Sequence, residues 1–195
     1  GVSAKTGRLS PGLRVSGSTV GSARIKLTVL DPLGTPKIDG TADLANVRSG
    51  SLVIDKATLA ASNAQGGTAL KLTATSLGAS VDATATLSAQ GNASVLNLSA
   101  LTIVKDGATA TLAKPATITI GGGTTRIDGL VLNANGGSVA IAGTAGNALN
   151  LTVELHTLPL SLAAVAAPEF DASGTVSGKL TITITGSAAA PGGQY

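Results

Sequence analysis

The 195-residue chain contains no cysteine, methionine or tryptophan, and its aromatic side chains are limited to Phe170 and Tyr195. Without cysteine there is no disulfide scaffold. The absence suits an oxidising compartment, where free thiols are avoided, but equally suits a protein that simply has no use for them. Two aromatics are too few to make the platforms on which nucleobases stack. Long apolar runs are missing too. The longest, Leu158 to Pro168, is interrupted by Pro159 and Ser161 and falls far short of the roughly 20 residues that span a bilayer. Charge is modest, with 13 basic against 10 acidic residues. Lys5, Arg8, Arg14, Arg24 and Lys26 all precede the first acid, Asp31. These cations read as solvated residues on outward strand faces, where they discourage edge-to-edge association. No nucleic-acid partner is expected.

What the chain has in abundance is alternation. Ile25-Lys26-Leu27-Thr28-Val29, Leu149-Asn150-Leu151-Thr152-Val153-Glu154-Leu155 and Leu180-Thr181-Ile182-Thr183-Ile184-Thr185 each place a branched aliphatic at every second residue. A β-strand sends successive side chains to opposite faces, so each run has one apolar face and one wet face. Turn signals recur about every ten residues, among them Gly66-Gly67, Gly78, Gly91, Asp106-Gly107, Gly121-Gly122-Gly123, Asn135-Gly136-Gly137 and Gly146. Between them lie strand candidates centred on Ile25–Val29, Asp43–Val47, Leu52–Ile54, Leu70–Thr75, Val81–Leu87, Val95–Leu98, Thr109–Leu112, Thr117–Ile120, Leu130–Asn133, Val139–Ala142, Leu149–Leu155 and Leu180–Thr185. The fold class is therefore all-β: an antiparallel meander, sandwich, barrel or solenoid. One stretch breaks the period. Leu160 to Ala167 is rich in Ala and Leu between Pro159 and Pro168, which predicts a short helix of about two turns. That helix would be a connector packed on the sheet or a cover for one of its ends.

The size of the side chains poses a packing problem. Two facing sheets stand about 10 Å apart, a gap that aromatics usually help to fill. Here Leu, Ile, Val and many Ala would line it, and native interiors do not leave volume empty cheaply. Either the sheets approach closely over the alanines, or the space accommodates a guest.

Polar chemistry is sparse. His156 is the only histidine, whereas a general base or a zinc site needs partners within reach. Asp39 with Asp43, and Glu169 with Asp171, are the only carboxylate pairs that invite glycosidase or Ca²⁺ chemistry. No Ca²⁺-loop pattern or aromatic sugar platform accompanies them. Gly121-Gly122-Gly123 lacks the Lys-Ser/Thr of a phosphate loop and reads as a turn. No catalytic residue, metal or cofactor is expected, and the chain is not read as an enzyme.

The spacing of Gly, Pro and Leu carries a resemblance. Leu158-Pro159-Leu160, Pro168-Glu169-Phe170, Gly174 to Leu180 and Gly186 to Pro191 resemble the repeating signature of the TamB family of AsmA-like, bridge-type lipid transfer proteins of the Gram-negative envelope. Pro115 to Ile118, Thr124 to Leu130 and Gly136 to Gly143 are similar to it as well, with an earlier echo in Pro36-Lys37-Ile38-Asp39-Gly40. The resemblance is strongest from Pro115 onward. It implies a β-taco, a mostly antiparallel sheet curled into a U with an apolar interior groove, spanning residues 1–195 as one segment of a larger periplasmic protein anchored in the inner membrane elsewhere. It further implies phospholipid as the groove's guest, a TamA-like outer-membrane partner, and outer-membrane proteins as clients.

The residues themselves agree with a lipid track. Burying a methylene is worth about 0.8 kcal/mol, so a free acyl chain faces a penalty on the order of 10 kcal/mol in water. A protected path must be apolar throughout and free of deep specific sites. The expected lining is Ile25, Leu27 and Val29; Leu70 and Leu72; Ile118 and Ile120; Leu130 and Leu132; Val139 and Ile141; Leu149, Leu151, Val153 and Leu155; and Leu180, Ile182 and Ile184. About twelve strands at a 4.8 Å spacing would give a trough of roughly 55 Å. The rival reading is a structural or adhesive β-helix of the autotransporter-passenger type, which calls for a steady coil period of roughly 20 residues. Strand spacing here drifts and the Leu158–Pro168 break interrupts it.

Overall fold

Alternating aliphatic runs separated by turn residues fold into strands and nothing else of length. The structure, a computed structural model, describes residues 3–9, 13–15, 18–30, 37–49, 52–162 and 173–184. They form β1 (Ser3–Leu9), β2 (Leu13–Val15), β3 (Ser18–Leu30), β4 (Lys37–Ser49), β5 (Leu52–Ala64), β6 (Gly67–Ser76) and β7 (Ala79–Gln90). Then follow β8 (Ala93–Lys105), β9 (Ala108–Leu112), β10 (Ala116–Gly121), β11 (Thr124–Ala134), β12 (Gly137–Ala145), β13 (Leu149–Pro159) and β14 (Thr175–Ile184).

All fourteen strands belong to one antiparallel sheet, and the chain visits its positions in sequence order. Two positions are each shared by a pair of short strands. β1 covers the C-terminal half of β3, from Ser3 opposite Val29 to Leu9 opposite Ala23, while β2 covers its beginning. β9 and β10 lie end to end between β8 and β11. The break between them falls at Ala113-Lys114-Pro115, where Pro115 has no N–H to give a ladder and Ala113 N–H donates to Val131 O at 2.8 Å. The result is a twelve-position meander with no crossover.

Hairpin chemistry fixes the connections. Leu77-Gly78, Asp106-Gly107 and Asn135-Gly136 each have positive φ at both residues, the two-residue turn whose twist matches the flanking strands. Asp and Asn tolerate that conformation readily. Leu77, at φ 48°, does not, and its N–H is held by Asp55 Oδ2 at 2.9 Å.

Three β-bulges decide which face each aliphatic occupies. In β8 the register against β7 shifts between Ala100 and Leu98, leaving Ser99 as the extra residue, and Ser99 Oγ donates to Thr84 O at 3.1 Å. The shift keeps Leu101 and Ile103 in register with Ala83 and Val81, on the face that Leu98 and Leu96 share with Ala85 and Leu87. In β11 the extra residue falls between Ile127 and Leu130, with Gly129 at φ 64°. In β13 it falls between Leu155 and Leu158, with Thr157 at φ 44° and its N–H donating to Ser177 Oγ at 2.8 Å. Each bulge inserts one residue exactly where the aliphatic alternation changes from odd to even numbers or back.

The strands are longer than the sequence candidates, up to thirteen residues, and in β8, β11 and β13 a bulge carries the strand past a break in alternation. The helix expected over Leu160 to Ala167 begins as a single 3₁₀ turn at Leu160–Leu162; the remainder lies outside the described residues. Among the described residues no side chain is completely buried, and the buried apolar ones are mostly small: Ala23, Ala57, Ala85, Ala116 and Ala134, with Val95 and Leu98.

Gly143, at φ 141°, brings β12 so close to β13 that a Cβ would stand 2.0 Å from Asn150 O. Gly143→Ala is expected to lower the stability by about 1–3 kcal/mol. Gly178→Ala, with nothing within 4 Å of its added Cβ, should change it by less than about 0.5 kcal/mol. Urea unfolding of the two variants checks the difference.

Candidate functional site

Residues directly opposite one another in an antiparallel ladder project to the same side, so the register assigns each face of the sheet. One row runs Ile182, Leu151, Gly143, Ile127, Ile118, Leu96, Leu87. Beside it, Leu180, Val153, Ile141 and Leu130 are in register, as are Leu155, Val139, Leu132 and Leu112. At one end Ile184 stands opposite Leu149, and Ile120 opposite Thr125 and Ser94. Across the first half of the sheet, Ile25 lines up with Ala42, Leu59, Leu72, Ala83 and Leu101. Leu70 lies between Ala61 and Ala85, and Ala85 faces Leu98. Leu27 and Val29 hold register positions opposite Gly40 and Ile38. Every aliphatic position expected to line a groove thus falls on one register set. Sequence reasoning missed Leu59, Leu87, Leu96, Leu101, Leu112 and Ile127, which extend the same face.

The face is incompletely covered. Ile25 is 43% exposed, Ile120 47%, and Leu180 and Ile184 58% each, while most of its other Leu, Ile and Val are half-buried. Apart from Leu77 and Val104, all the exposed large apolar side chains among the described residues lie on it. Isolated exposed aliphatics are ordinary; a contiguous set on one side of a sheet marks an interaction surface.

The reverse face is mostly polar, with Val47, Ile54, Val95 and Val131 among its residues. Its row runs Arg24, Asp43, Thr58, Thr73, Asp82, Thr102, Thr111, Asn133, Ser138, His156. Thr58 Oγ1 donates to Asp43 Oδ1 at 2.8 Å, so Asp43 serves a cross-strand contact. Asp39 stands opposite Thr28 on the same face, and Glu169 and Asp171 lie outside the described residues. His156 Nε2 is 3.9 Å from Glu154 Oε2 and its side chain is 63% exposed. Gly122 and Gly123 form the turn between β10 and β11. Among the described residues no group of three His, Asp or Glu side chains is placed to hold a metal ion.

Lys179 Nζ lies 2.9 Å from Glu154 Oε1 across the β13–β14 pair. That hydrogen bond, then the Lys179 charge and more weakly His156, hold the Glu154 carboxyl below its ordinary value of 4.5. A depressed carboxyl stabilises the fold above the unfolded-state pKa, and the contribution disappears as pH falls through the folded-state value. The pair is solvent-exposed, so its effect on stability is small. An NMR titration of Glu154 should give a midpoint below the ordinary glutamate range, and Lys179→Met should bring it back up.

Comparison with protein-family models, curated proteins and solved structures finds no match for this chain.

Proposed function

We propose that the aliphatic face holds the acyl chains of phospholipid and that the sheet is a segment of a conduit for lipid between the inner and outer membranes. The observation that carries this reading is the register itself, which sets branched aliphatics along nearly the whole of one face while leaving them partly exposed. A folded chain gains about 25 cal/mol for each Å² of apolar surface it covers, so such a face favours a hydrocarbon guest over water. Its chemistry is uniform. Interchangeable Leu, Ile and Val grip a methylene chain at no single point, which suits sliding better than storage. The resemblance to TamB-like proteins supplies the setting: a periplasmic location, a parent protein anchored in the inner membrane, and a TamA-like outer-membrane partner.

The antiparallel pairing between all neighbouring strands also weighs against the adhesive β-helix, in which successive coils stack in parallel.

A second guest has its own observation. Among the described residues β14 pairs only with β13, and its Leu180, Ile182 and Ile184 are exposed. Lys179 is its only charge. A long edge of this kind accepts another strand, so client outer-membrane proteins would dock there by strand addition.

Photo-crosslinking residues at Leu151 and Ile182 are expected to give lipid adducts in membrane-expressed protein, whereas the same residues at Thr152 and Thr181, in register on the reverse face, should give several-fold fewer. Equal labelling of the two faces, or no lipid adduct at all, refutes the lipid reading.

A further inference from the structure

The aliphatic face changes character at one lip. Along β5 the positions on this face run Leu59, Ala61, Asn63; along β6, Leu72, Leu70, Thr68; along β8, Leu98, Leu96, Ser94. Asn63 is in register with Thr68, Thr68 with Leu87, and Ser94 with Ala89. Three columns that carry Leu59, Leu70 and Leu96 therefore end in an amide or a hydroxyl on the same edge of the sheet. The β5–β6 turn, Gln65-Gly66, closes this corner.

These residues surround a hollow of about 680 Å³ lined by Asn63, Gln65, Thr68, Leu87, Ser88 and Ser94, with Ala64, Gly66, Gly67 and Ala89 completing it. The volume falls within the roughly 300–1,000 Å³ of small-molecule sites. Its floor depends on Gly67, whose backbone approaches β7 so closely that a Cβ would lie 2.2 Å from Leu87 O. Thr68 is only 8% exposed, the one buried polar side chain among the described residues. Among those residues, the side chains of Asn63, Gln65, Thr68 and Ser94 form no hydrogen bond, so their donors and acceptors remain free for a guest. None of the lining residues is charged.

Building on the lipid reading above, we propose that this hollow is a subsite for the glycerol–ester region of a diacyl lipid, where uncharged donors meet ester carbonyls. A hydrocarbon chain lying over Leu70, Leu87 and Leu96 reaches the hollow just where a glycerolipid changes from methylenes to esters. Amide N–H and hydroxyl groups suit carbonyl acceptors. A free fatty acid would bring its carboxylate to a lining with no cation, and burying an unpaired charge is costly. The ionised headgroup passes beyond the lip into water. The subsite thus selects ester-linked two-chain lipids and sets the orientation in which they enter.

The test compares the full chain loaded from vesicles of dioleoylphosphatidylglycerol with the chain loaded from its ether-linked analogue, which has the same chains and headgroup but no carbonyls. Wild type should retain the ester lipid on the order of fivefold better, the effect expected of one or two neutral hydrogen bonds. Asn63→Leu combined with Thr68→Val should bring the ratio close to one while retaining both lipids, because the aliphatic face is intact. Equal retention of ester and ether lipid by wild type overturns the subsite and leaves the lipid reading standing. A preference that survives unchanged in the double variant also overturns it. Retention of neither lipid by wild type overturns the lipid reading, and the subsite with it. The wild-type comparison stands even where the double variant fails to fold.

Discussion

The two-residue period of an extended chain, combined with antiparallel pairing, is the constraint from which the rest follows. Once neighbouring strands are in register, an aliphatic at one position puts its ladder partners on the same side, and a slip of one residue would turn a whole strand inside out. In this sheet the constraint propagates through twelve successive positions, because the chain fills them in sequence order. Ile25, Leu72, Leu101, Leu130, Leu151 and Ile182 thereby fall on one side, although the first and last are far apart in sequence. Hydrogen-bond ladders hold the meander together strand by strand, with little help from a packed interior, since no described side chain is completely buried.

Bulges are the devices that preserve this sidedness where the alternation would otherwise lose it. Ser99 in β8, the Asp128-Gly129 pair in β11 and the His156-Thr157 pair in β13 each absorb one residue. The polar side chains beside two of the bulges supply the hydrogen bonds that irregular ladders lack: Ser99 to Thr84 O and Ser177 to Thr157 N–H. An incomplete hydrophobic core is thus balanced by a complete, carefully registered ladder. Among the described residues this aliphatic face remains partly exposed, which marks an interaction surface rather than a self-sufficient core.

Polarity along the aliphatic columns is graded in turn. Over much of their length the columns of the aliphatic face carry Leu, Ile, Val and Ala. At the β5–β8 lip Asn63, Thr68 and Ser94 introduce hydrogen-bonding groups without charge. The reverse face carries the ionic contacts, such as Glu154 with Lys179, where water screens them and they specify pairing more than they stabilise.

Much of this was legible in the residues. Alternation located the strands from β3 to β14, and the X-Gly pairs located their turns, because side-chain direction in a strand and positive φ in a tight turn are local properties that a few neighbouring residues decide. The two-sided chemistry was legible for the same reason in Leu149 to Leu155 and Leu180 to Ile184. Local pattern failed where parity changed: Leu98 and Leu101 differ by an odd number, and only the ladder to Ala85 and Ala83 shows that they share a face. Pairing also decided that β9 and β10 occupy one position in the sheet, and that the β8 hydroxyl of Ser94 closes the same hollow as Asn63 of β5. Those relations join residues that are distant along the chain. They are settled by the cooperative hydrogen bonding of the whole sheet, which no single segment encodes.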